Sequence, residues 1–180
     1  MKIYLTYDDG SDSRYELVDG KLERINPPTF RHLLLAKFLE QTFDTEINRL
    51  SLPWLCFREA GVRTGWRKSR LPDVYVVTAE QVIEFLDESA VCQSAPILVV
   101  EVVSPDSVKR DYRYKRSEYA ALEIPEYWIV DPIESKITIL LLSEGLYEEK
   151  EFSGSQQIMS ATFPEIALTV EQVLAAGNVG

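Results

Sequence analysis

Histidine is nearly absent from this chain of 180 residues: His32 stands alone. Ser-His-Asp triads and metal centres built on several imidazoles are therefore nearly excluded. Cysteine is almost as scarce. Cys56 and Cys92 lie far apart in apolar company, which argues against a disulfide framework or a zinc site and for a reducing cytoplasm. No apolar run reaches the ~18 residues that span a bilayer. The longest, Ala95 to Val103 and Ile137 to Leu142, are short and rich in β-branched residues. The opening MKIYLTYDDG lacks the apolar stretch of a secretory signal. Neither GxGxxG nor GxxxxGK followed by Ser or Thr occurs, so no nucleotide cofactor is expected. Repeats, low-complexity tracts and linkers are missing too, and the length suits one domain over residues 1–180.

Positive charge is in deficit. The chain has 19 Lys and Arg against 29 Asp and Glu, a net charge of −10, and an acidic chain is a poor general binder of polyanions. The bases are nevertheless clustered. Residues 58–70 hold Arg58, Arg63, Arg67, Lys68 and Arg70 against Glu59 alone, and residues 109–116 hold Lys109, Arg110, Arg113, Lys115 and Arg116 against Asp111. Residues 144–171 carry six acids and one base. Such a chain can still present a basic surface beside a site. The plainer alternative is that these bases are solvated faces. Trp54, Trp66 and Trp128 are expected to pack rather than stack on bases.

What is present reads as a mixed α/β fold. YELVDGKLERI predicts a hairpin turning at Asp19-Gly20, within residues 15–25. A helix follows from about Thr29 to Thr42, with Leu34, Leu35, Phe38 and Leu39 as its apolar face. Trp54 to Phe57 reads as a strand, Gly61 and Gly65 bracket a turn or short strand, and Pro72 to Thr78 is a buried strand. After a short helix near Glu80 to Phe85 comes a second buried strand, Ile97 to Val103. A helix from Ser107 to Leu122 and a third buried strand, Tyr127 to Val130, complete a core over about 29–131. Strand, helix, strand across 97–130 implies a parallel crossover in a mixed sheet. A second hairpin spans 136–152 around Glu144-Gly145, and a last helical turn or two covers Thr169 to Ala175.

Two carboxylates stand out against this background. Asp73 is the only charge near the start of LPDVYVV, and Glu101 is the only charge inside ILVVEVV. Burying a bare carboxylate costs several kcal/mol, so each must be paired, protonated or bound to a cation. Two on neighbouring strands would make a hard-oxygen site suited to magnesium. The alternative for each is a structural ion pair with an arginine. On a helical wheel of residues 107–122, Val108, Tyr112, Lys115, Tyr119 and Leu122 share one stripe. Lys115 alone among the local bases then faces inward, towards a carboxylate or a phosphate. It could instead pair with Asp111 one turn earlier, or snorkel.

The segments LPDVYVV, LVVEVVSPDS and KRDYRYKRSEYAALEIPEYWIVDP, together with YELVDGKL and REAGVR, resemble the Uma-two family of restriction-endonuclease-like proteins, assigned to the PD-(D/E)XK nuclease superfamily. The resemblance implies a restriction-endonuclease-like core of helix, strands, helix, strand. It makes Pro72-Asp73 the PD element and Glu101 the following acid. The superfamily usually places its lysine two residues after that acid, where this chain has Val103; the family supplies it from the next helix, at Lys115. Glu16 becomes a possible additional acid, with no physical argument from the sequence that it reaches the site. The implied activity is endonucleolytic hydrolysis of DNA, with Asp73 and Glu101 holding Mg²⁺ or Mn²⁺ and Lys115 acting on water or phosphate. A homodimer is expected, since cutting both strands needs two sites and ITILLL is apolar on both faces. The alternative is a nuclease fold that no longer cuts and serves as a DNA- or protein-binding dimer.

Overall fold

The structure, a computed structural model, describes Tyr4, Tyr7, Gly10 and residues 13–179, so most of the N-terminal stretch read for a signal lies outside the described residues. In chain order its strands are β1 (Tyr15–Val18), β2 (Lys21–Arg24), β3 (Trp54–Phe57), β4 (Gly61–Gly65), β5 (Lys68–Arg70), β6 (Val74–Thr78), β7 (Val91–Cys92), β8 (Leu98–Val102), β9 (Glu126–Asp131), β10 (Lys136–Ser143) and β11 (Leu146–Ser153). The helices are α1 (Phe30–Arg49), α2 (Glu80–Ile83), α3 (Arg116–Ala121) and α4 (Val170–Ala175), and a π-helical turn, Arg110–Lys115, leads directly into α3. Two sheets result. The larger runs β11-β10-β9-β8-β6-β3 and the smaller β2-β1-β5-β4-β7. β8 and β9 pair in parallel, as the crossover required.

Alternation along the central strands sends side chains to two cores. Val74, Val76, Leu98, Val100, Trp128 and Val130 meet the stripe Leu35, Leu39, Phe43 and Ile47 of α1 on one face. Phe43 lies edge-on to Trp128 and stacks on Phe163, with centroids 5.3 and 5.4 Å apart. Tyr75, Val77, Val99, Val103, Tyr127 and Ile129 pack on the opposite face, with Val62 of β4 and Tyr119 of α3. The central strands are thus covered on both sides, which is why they read as continuous apolar runs.

Local chemistry explains the boundaries. Thr29 caps α1 by accepting from the His32 amide at 3.2 Å. The helix continues past Thr42 to Arg49 because Phe43 and Ile47 extend its buried stripe. Asp19 (φ 48°) and Gly20 (φ 81°) both adopt the left-handed conformation that a tight hairpin needs. Any Cβ on Gly20 would also sit 2.2 Å from the Arg67 guanidinium. α4 begins with a capping box between Thr169 and Gln172.

Two sequence expectations change here. β5 and β7 were not anticipated: β5 is only KSR and β7 only VC, too short and too polar to show a period. The helix over 107–122 opens as a π-turn rather than a regular α-helix. In β10, Ile137 and Ile139 enter the first core and Leu140 the second, while Leu141 is exposed. The outer strand β11 carries Glu148, Glu149, Lys150 and Glu151, charges that discourage edge-to-edge pairing. Among the described residues, no helix is long and apolar enough to cross a membrane.

Candidate active site

The register of β6 against β8 pairs Val74 with Val100, Tyr75 with Val99 and Val76 with Leu98. Asp73 immediately precedes β6, and Glu101 follows Val100 in β8. Pro72 precedes the strand, and Asp73 takes over the ladder with its side chain: Oδ2 accepts from the Val102 amide at 2.6 Å. Its Oδ1 lies 2.7 Å from Nε2 of His32, in the first turn of α1. Glu101 is buried, with Oε2 accepting from Lys115 Nζ at 2.6 Å and Oε1 from the Tyr119 hydroxyl at 2.5 Å.

The π-turn brings Lys115 into place. A wider turn rotates less per residue, so the inward stripe falls at four-residue intervals: Ser107, Asp111, Lys115 and Tyr119 are buried. This corrects the regular wheel, which put Val108 on that stripe; Val108 is 42% exposed. Lys115 Nζ stands 2.6 Å from Glu101, 3.4 Å from Asp111 and 3.7 Å from Glu16. Glu16 therefore does reach the cluster, from β1. Arg70 holds its other oxygen at 2.8 Å and bridges to Glu118 at 2.7 Å, while the Leu71 amide donates to Oε1 at 3.2 Å.

The electrostatics are crowded. Burial pushes the Glu101 carboxyl up to about 8, with Asp73 and Asp111 adding to that against the pull of Lys115. Burial likewise raises Asp111 above the usual carboxylate range, although Lys115 and Ser107 oppose it. Burial also raises the tendency of Lys115 to lose its proton, but Glu101, Asp111, Glu16 and Asp73 outweigh it and keep the ammonium charged. At His32, burial opposes protonation, and the hydrogen bond and charge of Asp73 overcome it, so the ring pKa lies above its ordinary value. A raised carboxylate contributes stability that is complete below its ordinary value and disappears as pH climbs through the folded value. In chelator, the melting temperature is thus expected to fall more steeply from mildly acidic to mildly alkaline pH in the native chain than in Glu101→Gln. Parallel melts of the two proteins in EDTA check this, and equal slopes would remove Glu101 as the cause.

Glu16, Asp73, Glu101, Lys115, His32 and Asp111 all line one cavity of about 710 Å³, together with Arg24 and Arg110. Of these, His32 and Asp111 were not singled out from the sequence. An isolated histidine at a helix start carries no sequence signal, whereas Asp111 was visible only as a spacing of four from Lys115. Val103, in the slot where the superfamily pattern carries lysine, is buried in the apolar core. Among the described residues no three His, Cys, Asp or Glu side chains already form a metal ligand set, because Lys115 and Tyr119 engage Glu101 while His32 and Val102 engage Asp73. The donor chemistry nonetheless suits a hard cation. Six carboxylates line the cavity, Glu16, Glu59, Asp73, Glu101, Asp106 and Asp111, and Asp111 Oδ1 is buried without a hydrogen bond.

Among the described residues, half of the ten clustered bases are engaged in ion pairs, Arg70 and Lys115 within the cluster above among them. Arg58 pairs with Glu40, Lys68 with Asp19 and Glu118, and Arg116 with Glu149. Trp54 packs on Phe163 and Trp128 on Phe43, but Trp66, at the tip of the β4–β5 hairpin, is 82% exposed, contrary to expectation.

Residues 2–171 match the sequence family Uma2, described as "Putative restriction endonuclease". A crystal structure of "a putative nuclease belonging to DUF820" from Anabaena variabilis superposes with a TM-score of 0.81 at 16% identity, covering 97% of each chain. The type IIG restriction endonuclease BpuSI aligns with a TM-score of 0.43 at 10% identity, over 85% of this chain and 17% of that one. No curated protein matches the sequence.

Proposed function

The chain belongs to the Uma2 family of restriction-endonuclease-like proteins, and from that premise we propose that it is a metal-dependent endonuclease hydrolysing phosphodiester bonds in DNA. The observation that carries this reading is that Asp73, Glu101 and Lys115 line one cavity, with Lys115 Nζ 2.6 Å from Glu101. Asp73 and Glu101 are the groups that would hold Mg²⁺ or Mn²⁺. When bound, such a cation supplies Lewis acidity at the phosphoryl oxygen and a more acidic water.

The chain's own groups do the rest. His32 and the Val102 amide fix the Asp73 carboxylate from two sides. Tyr119 and Lys115 fix Glu101. The Lys115 ammonium offers a positive group where charge builds on the phosphate or the attacking oxygen. Arg24 and Arg110 line the same cavity and can meet backbone phosphates despite the acidity of the whole chain. The nuclease unit is taken to span residues 1–180, and a homodimer would supply the second site needed to cut a duplex.

One observation favours the competing view, a DNA- or protein-binding module that does not cut: Lys115 already acts as counter-ion to three carboxylates. Plasmid and oligonucleotide substrates separate the two. Cleavage is expected with Mn²⁺ or Mg²⁺ and its loss with EDTA. Absence of any product under both metals, from protein shown to be folded, would favour the non-cutting module. Sedimentation of the same sample checks the dimer, and a mass near the 20.6 kDa of one chain would remove it.

A further inference from the structure

Five carboxylates are fully buried among the described residues: Glu16, Glu101, Asp111, Glu126 and Asp131. Two of them serve as internal references. Glu126 accepts from Trp128 Nε1 at 2.6 Å and from the amide and hydroxyl of Thr162, each at 2.7 Å. Asp131 accepts from the Tyr112 hydroxyl and the Ile133 amide at 2.9 Å and from the Glu134 amide at 3.0 Å. Each has both oxygens engaged by three neutral donors, as buried structural carboxylates require. Neither lines the cavity.

Asp111 breaks this pattern. It is 1% exposed and lines the cavity. Its Oδ2 accepts from the Ser107 hydroxyl, but Oδ1 accepts no hydrogen bond. The ion-pair partner of Oδ1 is Lys115 Nζ at 3.4 Å, which is closer to Glu101 and also shared with Glu16. Arg110 adds positive potential without a hydrogen bond to this carboxylate, and its own Nε is buried and unpartnered. One ammonium is shared by three carboxylates, and Asp111 Oδ1 is the oxygen among them that accepts no hydrogen bond, on a residue that lines the cavity. The fold keeps it there on a π-turn, a helix irregularity that recurs at functional sites.

We propose that Asp111 is a third cation-binding carboxylate of this centre, acting with Asp73 and Glu101. This rests on the metal-dependent reading above. It assigns the residue a role that the superfamily pattern does not contain, because the acid comes from the turn that follows the strand and not from the strands themselves. It also separates two functions on one turn: Asp111 faces the cation, while Lys115 neutralises the cluster until a cation is present.

Manganese binding and apo stability, measured on the same proteins, test this. In the native chain Mn²⁺ should bind by calorimetry, and Asp111→Asn should weaken that binding at least about tenfold. In EDTA the same variant should melt no lower than the native chain, because it removes negative charge from an overfilled site. A purely structural partner of Lys115 predicts the reverse, a lower apo melting temperature with unchanged Mn²⁺ affinity, and that result overturns the proposal. Should Asp111→Asn fail to fold, Asp111→Ala answers the same question, and failure of both to fold makes Asp111 structural and overturns it as well. If the native chain itself binds no Mn²⁺, the metal-dependent reading falls and this proposal with it. If the native chain and the variant bind equally, only this proposal falls. Asp131→Asn serves as the contrast, expected to lower the melting temperature and leave Mn²⁺ affinity unchanged.

Discussion

Lys115→Ala is expected to lower folding stability by about 3–5 kcal/mol and to abolish cleavage. Lys115 is buried, and the substitution removes the one ammonium that stands among Glu101, Asp111 and Glu16. What remains is a set of carboxylates with no cation at their centre, and Arg70 is already committed to Glu16 and Glu118. The loss should be partly recovered by Mn²⁺, since a bound cation neutralises the same cluster. Lys115→Met keeps most of the volume and should lose nearly as much as the alanine variant, which assigns the effect to charge rather than to a cavity. Denaturant unfolding with and without Mn²⁺ measures all of this. A change within about 0.5 kcal/mol, the size of an ordinary surface substitution, would show that the cluster holds without its lysine.

Asp73→Asn is expected to reduce cleavage about 10²- to 10³-fold with little change in stability. Asparagine has nearly the same shape. Its carbonyl can accept from the Val102 amide, and its NH₂ can face His32 Nε2 in the tautomer that accepts, so both local contacts survive. Charge is what disappears, and charge is what a hard cation requires of this position. Single-turnover cleavage, calorimetric Mn²⁺ titration and melting, taken together, check the claim. Native-like cleavage would remove Asp73 from the centre, whereas a large fall in melting temperature would make it a structural clip between α1 and β8. The contrast with Lys115 is diagnostic, because one substitution should spare the fold and the other should not.

Much of this architecture was legible because it rests on local rules. The hairpins at Asp19-Gly20 and Glu144-Gly145 need left-handed backbone, and glycine after an acid announces it. β6, β8 and β9 are covered on both faces, so they appear as apolar runs in which a single charge is conspicuous. That same contrast singled out Asp73 and Glu101. The rest depended on geometry that sequence period does not encode. Glu16 reaches the cluster only because β1 pairs with the three-residue β5, whose Arg70 is buried by ion pairs and not by apolarity. Asp111 turns inward and Val108 outward through the phase set by the π-turn, which a regular wheel does not contain. His32 meets Asp73 because a helix start happens to abut a strand end. Long-range contacts of this kind leave no mark on neighbouring residues.

The lone exposed indole gives the molecule an optical handle. Trp54 and Trp128 sit against phenylalanine rings, whereas Trp66 stands in water beside Arg67 and Lys68. Its emission should lie at longer wavelength than that of the other two, and dissolved quenchers meet it first. Iodide and caesium carry opposite charges, so their relative efficiency at this hairpin tip reports the sign of the local field in a protein whose net charge is −10.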